Sequence, residues 1–308
     1  MAGEAPLSSD VTPGVPAPPG DGPAEEAPER RTTPFLVLQF FVFPMAIVAV
    51  CVTVFVVFGL IASEGQTARG YLGEIRTGNA TRRWQAAFEL SKVLQAHTDE
   101  ALADPRFAVE MVALFDESAS DDPRVRRYLA LALGRLGDRR AVPSLLKVVG
   151  GGETDSETVI YSVWALGAIG DPAAVPELVK LARSEDPGIR KAVAHALGSL
   201  RSAEADAALR SALGDSTEDV RWNAAVALAH RADAAATPVL LQMMDRAHLA
   251  SVAGLTPEQA EDAVLQAVAA SVKLPDPELQ AALARLRDSD PSLKVRAEAR
   301  EAIAAREP

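Results

Sequence analysis

The side chains best able to do chemistry are few in this sequence of 308 residues. Four histidines, His97, His195, His230 and His248, are the candidates for metal ligation or proton transfer, and Cys51 is the single thiol. One cysteine builds neither a disulfide framework nor a cysteine-based metal site, and this one sits inside a long apolar run. The run Gly150-Gly151-Gly152 precedes Glu153 and Asp155, which makes it a flexible acidic linker and not a cradle for phosphate. The chain has no Gly-rich phosphate loop, no nucleophile elbow and no pair of carboxylates in apolar surroundings. Asn79-Ala80-Thr81 matches a glycosylation acceptor, a short pattern that recurs by chance. The expectation is a protein without catalysis, cofactor or bound metal.

Recognition is the other chemistry to consider. Arg83 and Trp84, Arg127 and Tyr128, Lys191, and Trp222 combine aromatic area with positive charge, the residue types that dominate protein interfaces. For Trp84 and Trp222 an ordinary core position explains the residue equally well, and for Trp164, which replaces an apolar position, the core is favoured. The row Arg126, Arg190, Arg221 and Arg296 reads more simply as internal. Asp122, Asp186 and Asp219 precede the first three in a recurring Asp-(Pro)-x-Val-Arg turn, where the acid can cap a helix and the Arg can reach a neighbouring carboxylate.

These positions recur because the chain repeats itself. Val125-Arg-Arg-Tyr-Leu-Ala-Leu-Ala-Leu133 aligns with Ile189-Arg-Lys-Ala-Val-Ala-His-Ala-Leu197 and with Val220-Arg-Trp-Asn-Ala-Ala-Val-Ala-Leu228. Further copies end at Leu90, Leu166, Val272 and Ile303, and the intervals from Leu90 onward are 43, 33, 31, 31, 44 and 31 residues. Asp116–Asp122 supplies a linker in the first long interval and Arg246–Glu261 an insertion in the second. Between the copies lie partner helices with Pro143, Pro176 and Pro238 in the first turn, where no helical N–H bond is lost. Gly134, Gly167 and Gly198, near the predicted helix ends, suit chain reversal, with Ala229 in the fourth place.

With its motif Leu166-Gly-Ala-Ile-Gly-Asp-Pro-Ala-Ala-Val-Pro176, this unit resembles the short HEAT-like repeat of bilin-lyase-type proteins and deoxyhypusine hydroxylases, over about residues 79–305. The resemblance implies an all-α fold, an α-solenoid of about seven helix pairs with a concave binding face. Deoxyhypusine hydroxylases hold iron with paired His-Glu motifs. Here Thr98, Ala196, Arg231 and Leu249 follow the four histidines, so no such iron site is expected.

The first part of the chain is different. Residues 1–34 are rich in Pro and Gly, and six acidic residues against Arg30 and Arg31 leave them at −4 of the chain's −11; a disordered tail is expected. From Phe35 to Ala62 no residue is charged, long enough at about 1.5 Å per residue to cross a hydrocarbon core of roughly 30 Å. A transmembrane helix over 35–62, with Pro44 as a break, is expected, followed by a juxtamembrane linker at 63–78. Arg69, Arg76, Arg82 and Arg83 outnumber Arg30 and Arg31, which places the repeats on the cytoplasmic side by a small margin. The −7 left for the rest of the chain argues against nucleic acid as a partner. Abundant Ala, and Arg in preference to Lys, suit a GC-rich bacterial genome. The expected role is a single-pass membrane scaffold whose solenoid docks a protein, as an accessory subunit of a membrane complex; the alternative is an enzyme or chromophore-handling protein related to bilin lyases.

Overall fold

The computed structural model describes residues 42–62, 67–96, 101, 104–153 and 155–306. The expected tail at 1–34, residues 35–41 of the expected span, the junction 63–66 and His97 lie outside the described residues. The chain divides into two units, residues 1–65 and 66–308.

The first unit contains one described helix, α1 (Phe43–Ala62), with no charged residue. Pro44 falls in its first turn and does not break it. Phe43, Met45, Ile47, Val50, Val54 and Phe55 are all exposed, so the helix is apolar all round. The Thr53 hydroxyl donates to the Ala49 carbonyl at 2.7 Å, which satisfies it within the helix. Side chains are described as far as Val57, and over the described residues no helix is long and apolar enough to cross a membrane.

The second unit is built of helix pairs, with no strand among the described residues. They are α2 (Ala68–Thr77) with α3 (Ala80–Ala96), α4 (Pro105–Glu117) with α5 (Pro123–Leu136), α6 (Val142–Lys147) with α7 (Ser156–Ile169), and α8 (Val175–Leu181) with α9 (Pro187–Ser199). Then come α10 (Ala203–Ala212) with α11 (Glu218–Ala229), α12 (Thr237–Met244) with α14 (Pro257–Ser271), and α15 (Pro277–Ser289) with α16 (Leu293–Ala304). The insertion between α12 and α14 carries a short helix, α13 (Arg246–Ser251). The second helices α3, α5, α7, α9, α11, α14 and α16 pack one on the next in chain order. Part of the stretch expected as a linker, 63–78, is therefore folded. Helix α2 buries Leu72 and Ile75 and packs on α3, because Ala68–Thr77 has its own apolar stripe and Thr67 caps it.

The second helices in the middle of the array hide the same five positions. In α5 these are Val125, Leu129, Ala130, Ala132 and Leu133; in α9, Ile189, Val193, Ala194, Ala196 and Leu197; in α11, Val220, Ala224, Ala225, Ala227 and Leu228. One helix pair cannot cover such a stripe, and stacking joins the stripes into one core along the array. In α14 the pattern is Ala263, Ala267, Val268, Ala270 and Ser271. The sixth copy therefore ends at Ser271, one residue before Val272. Its hydroxyl donates to the Val268 carbonyl at 2.7 Å, so a polar residue is tolerated where the others have Leu.

The glycines do a different job from the one their positions suggest. Gly134 and Gly167 lie inside α5 and α7, at the closest approach to the next repeat. A Cβ on Gly134 would stand 2.7 Å from the Ala165 Cα, and one on Gly167 2.7 Å from the Ala196 Cα. Gly198 faces the Ala227 Cβ at 3.1 Å. Chain reversal is left to Gly137 and Gly170, which end α5 and α7 in the left-handed region at φ 70° and 71°. Ala232 takes the same place after α11, at φ 58°.

Candidate protein-interaction surface

First helices and neighbouring repeats cover most of each second helix and leave one face open, which in a helix-pair solenoid is the concave one. On that face, Phe88 of α3 is 37% exposed, and Tyr128 and Leu131 of α5 and Tyr161 and Trp164 of α7 are half-buried. The rings form a row across three repeats. Phe88 meets Tyr128 edge-on with centroids 5.1 Å apart, and Tyr128 meets Tyr161 at 6.3 Å. The Lys92 ammonium lies 5.1 Å from the Phe88 centroid.

Of the residues singled out from sequence, only Tyr128 belongs to this row. Arg83 donates to both Asp121 oxygens at 2.7 and 2.5 Å and to the Ile75 carbonyl, and Arg127 donates to both Asp155 oxygens at 2.8 and 2.6 Å. Both are committed to internal ion pairs. Trp84 is half-buried against the core, with the Arg124 guanidinium 4.6 Å from its ring. Lys191 is exposed and pairs with Asp219 at 2.5 Å. Trp222 is buried at 7% exposure, while Trp164, expected in the core, is half-open. Phe88 and Tyr161 were missed. Their signal was available: Tyr161 occupies the Tyr128 position of the next copy.

In the arginine row Arg126, Arg190 and Arg221 pair within the chain, while Arg296 makes no ion pair among the described residues and buries its Nε without an acceptor. The Arg126–Glu153 pair is 2.5 Å, and Arg190 donates to both Asp215 oxygens at 2.7 and 2.9 Å. Arg126 and Arg190 each reach forward to an acid ahead of the next second helix. Asp122 and Asp186 cap α5 and α9, but Asp219 lies within α11, whose cap residue is Thr217. Asp215 is the acid Arg190 meets. Arg221 turns back to Glu218 of its own helix and to the Asp215 carbonyl. The neighbouring guanidinium holds each of Asp155 and Asp215 below the usual carboxylate range, and Thr158 and Thr217 add hydrogen bonds to them.

A second set of arginines reaches backward. Arg135 donates to the Ser91 carbonyl, Arg231 to those of Leu197 and Leu200, and Arg306 to those of Ser271 and Leu274. Each adds a charge-assisted bond to carbonyls in the last turns of the preceding second helix or just beyond it. Between α7 and α9, where Val159 stands in the Arg position, no charged side chain links the two helices among the described residues.

The insertion after α12 creates a groove of about 560 Å³ between α11 and α14. Lys191, Glu218, Asp219, Trp222 and Asp262 line it, with the loop Val252–Leu255 along one side. The indole Nε1 of Trp222 is buried and has no acceptor, and Glu218 Oε2 and His248 Nε2 are likewise buried without a hydrogen bond. His248 Nε2 lies 3.7 Å from Glu218 Oε1. His195 and His230 are exposed and on different registers. Among the described residues no group of three or more His, Cys, Asp or Glu side chains could hold a metal ion.

Stacked helix pairs with their second helices in an unbroken row define an α-solenoid. The family model for HEAT repeats matches residues 111–190, 152–229 and 175–255, so this stretch of the chain is built of HEAT repeats. Among solved structures it is similar to the complex of CpcE and CpcF of phycocyanin lyase from Nostoc sp. PCC7120, at 19% identity and a TM-score of 0.51, over 78% of this chain and 95% of that one. It is also similar to human deoxyhypusine hydroxylase in complex with glycerol, at 18% identity and a TM-score of 0.33, over 80% of this chain and 98% of that one. At such identities the likeness is one of fold alone. Among curated proteins none matches this chain.

Proposed function

We propose that this chain is a non-catalytic scaffold, anchored in a membrane through residues 35–62, that docks a partner protein on the open face of its second helices. The observation that carries the reading is the ring row Phe88–Tyr128–Tyr161, part-exposed aromatic surface held across three repeats of the second unit. Solenoids use such a face for binding, and aromatic rings give large contact area at low entropic cost. The partner is a protein, itself integral to or held near the membrane, and neither nucleic acid nor a cofactor has a role.

The anchor is supported by a helix without charge, exposed on every side, whose Thr53 hydroxyl is satisfied internally as a lipid environment demands. For the side of the membrane, the arginine count is weaker support than the sequence suggested. Arg69, Arg76, Arg82 and Arg83 all belong to folded helices, and Arg69 and Arg83 are already paired. The cytoplasmic side remains our reading.

Crosslinking in native membranes followed by mass spectrometry tests the proposal. A partner recovered with the wild-type chain and lost on Tyr128→Ala with Tyr161→Ala, at unchanged membrane retention in alkaline carbonate, is the expected result. Release of the wild-type chain by carbonate would remove the anchor. The other reading, chromophore handling, is favoured by the fold shared with phycocyanin lyase subunits; a stoichiometric pigment in the purified protein would put it first.

A further inference from the structure

We propose that the groove between α11 and α14 receives an extended segment of the partner protein carrying lysine or arginine, a reading that rests on the scaffold role. The groove exists because of the insertion at Arg246–Glu261, the one place in the second half of the array where the repeat interval lengthens from 31 to 44 residues. Insertions on a solenoid face are where recognition elements are carried.

Charge decides the partner's sign. Three carboxylates, Glu218, Asp219 and Asp262, face one ammonium, Lys191, which Asp219 already neutralises. Asp262 is exposed and makes no ion pair among the described residues. Glu218 shares Oε1 with Arg221 and leaves Oε2 buried with no donor. A cation from outside completes this set.

Hydrogen bonding decides the partner's class. Trp222, more than nine-tenths buried, is one of the residues lining the groove, and its buried indole N–H has no acceptor. Leaving such a donor unmet in the folded protein is unfavourable. A bare metal ion or a polyamine brings positive charge but no carbonyl. A peptide segment brings both: its carbonyl takes the indole hydrogen and its basic side chain meets Asp262 and Glu218.

The test uses the full-length chain and a fluorescein-labelled ten-residue peptide with lysine at alternate positions among glycine and serine, read by anisotropy. Binding is expected to weaken at least tenfold on Asp262→Lys, an exposed change that leaves the fold intact. Trp222→Phe, which keeps the ring and removes the N–H, is expected to weaken it about three- to tenfold. The same peptide with glutamate should not bind, and spermine should compete poorly. Absent binding to the wild-type chain, equal binding of the glutamate peptide, full competition by spermine, or indifference to Asp262→Lys would each overturn the groove proposal. Partner crosslinking that depends on Tyr128 but not on Asp262 would also overturn it and leave the scaffold reading standing. Peptide binding that needs Asp262, with crosslinking indifferent to Tyr128 and Tyr161, would remove the aromatic row and keep the groove.

Discussion

Gly167 and Ala196 touch across the boundary between two repeats: a Cβ on Gly167 would lie 2.7 Å from both the Cα and the Cβ of Ala196. Both helices would have to move apart to admit it. Gly167→Ala is expected to cost about 1–3 kcal/mol despite the better helix propensity of Ala. Gly198→Ala, which meets only the Ala227 side chain at 3.1 Å, is expected to be near neutral. Urea unfolding of the two variants checks the contrast; equal midpoints would refute it.

Ala232 holds a conformation that glycine provides in the earlier repeats. Its φ of 58° corresponds to 70° at Gly137 and 71° at Gly170. Ala232→Gly removes the steric cost of the Cβ and is expected to stabilise by about 0.5–1 kcal/mol, although glycine is more flexible when unfolded. A fall in melting temperature would mean that the side chain contributes packing there.

Acid should loosen the array through its ion pairs. Arg127 beside Asp155 and Arg190 beside Asp215 lower both carboxyl pKa values. A depressed folded pKa gives stability that is complete above the unfolded value of about 3.9 and is lost as pH falls through the folded one. Stability from these pairs is therefore level from neutrality to about pH 5 and declines below about pH 4. Asp155→Asn and Asp215→Asn are each expected to cost about 1–2 kcal/mol at pH 7 and to flatten the decline. An unchanged acid slope in denaturant titrations would contradict this.

The tryptophans separate stability from binding. Trp222→Ala empties a buried site and is expected to cost about 3 kcal/mol or more. Trp164, half-open on the aromatic face, is expected to cost about 1 kcal/mol on truncation but to reduce partner crosslinking severalfold. Parallel melting and crosslinking of the two variants decides, and reversed rankings would return Trp164 to the core.

The helix pairs were legible in the sequence because each second helix repeats one burial pattern, from Val125–Leu133 to Val220–Leu228, and because prolines and acids mark where helices start. What was not legible depends on neighbours one repeat away. Gly134 looks like a helix terminator until Ala165 is seen against it, and Asp219 looks like the acid for an arginine until Asp215 is found closer to Arg190. Trp222 and Trp164 exchange roles for the same reason, since exposure is set by the adjoining helix and not by the residue. Arg83 and Arg127 have the composition of an interface, and only the geometry of Asp121 and Asp155 shows that they are spent within the chain.

The α7–α9 boundary has a consequence for how the array comes apart. Its neighbours are strapped by guanidinium groups reaching forward to carboxylates or backward to carbonyls, while this boundary rests on apolar packing and steric fit, with no charged link among the described residues. Below about pH 4, where the forward carboxylate straps are lost, the strapped boundaries should loosen first and leave the α7–α9 pair of repeats as the last surviving fragment, a natural seed for reassembly once conditions are restored.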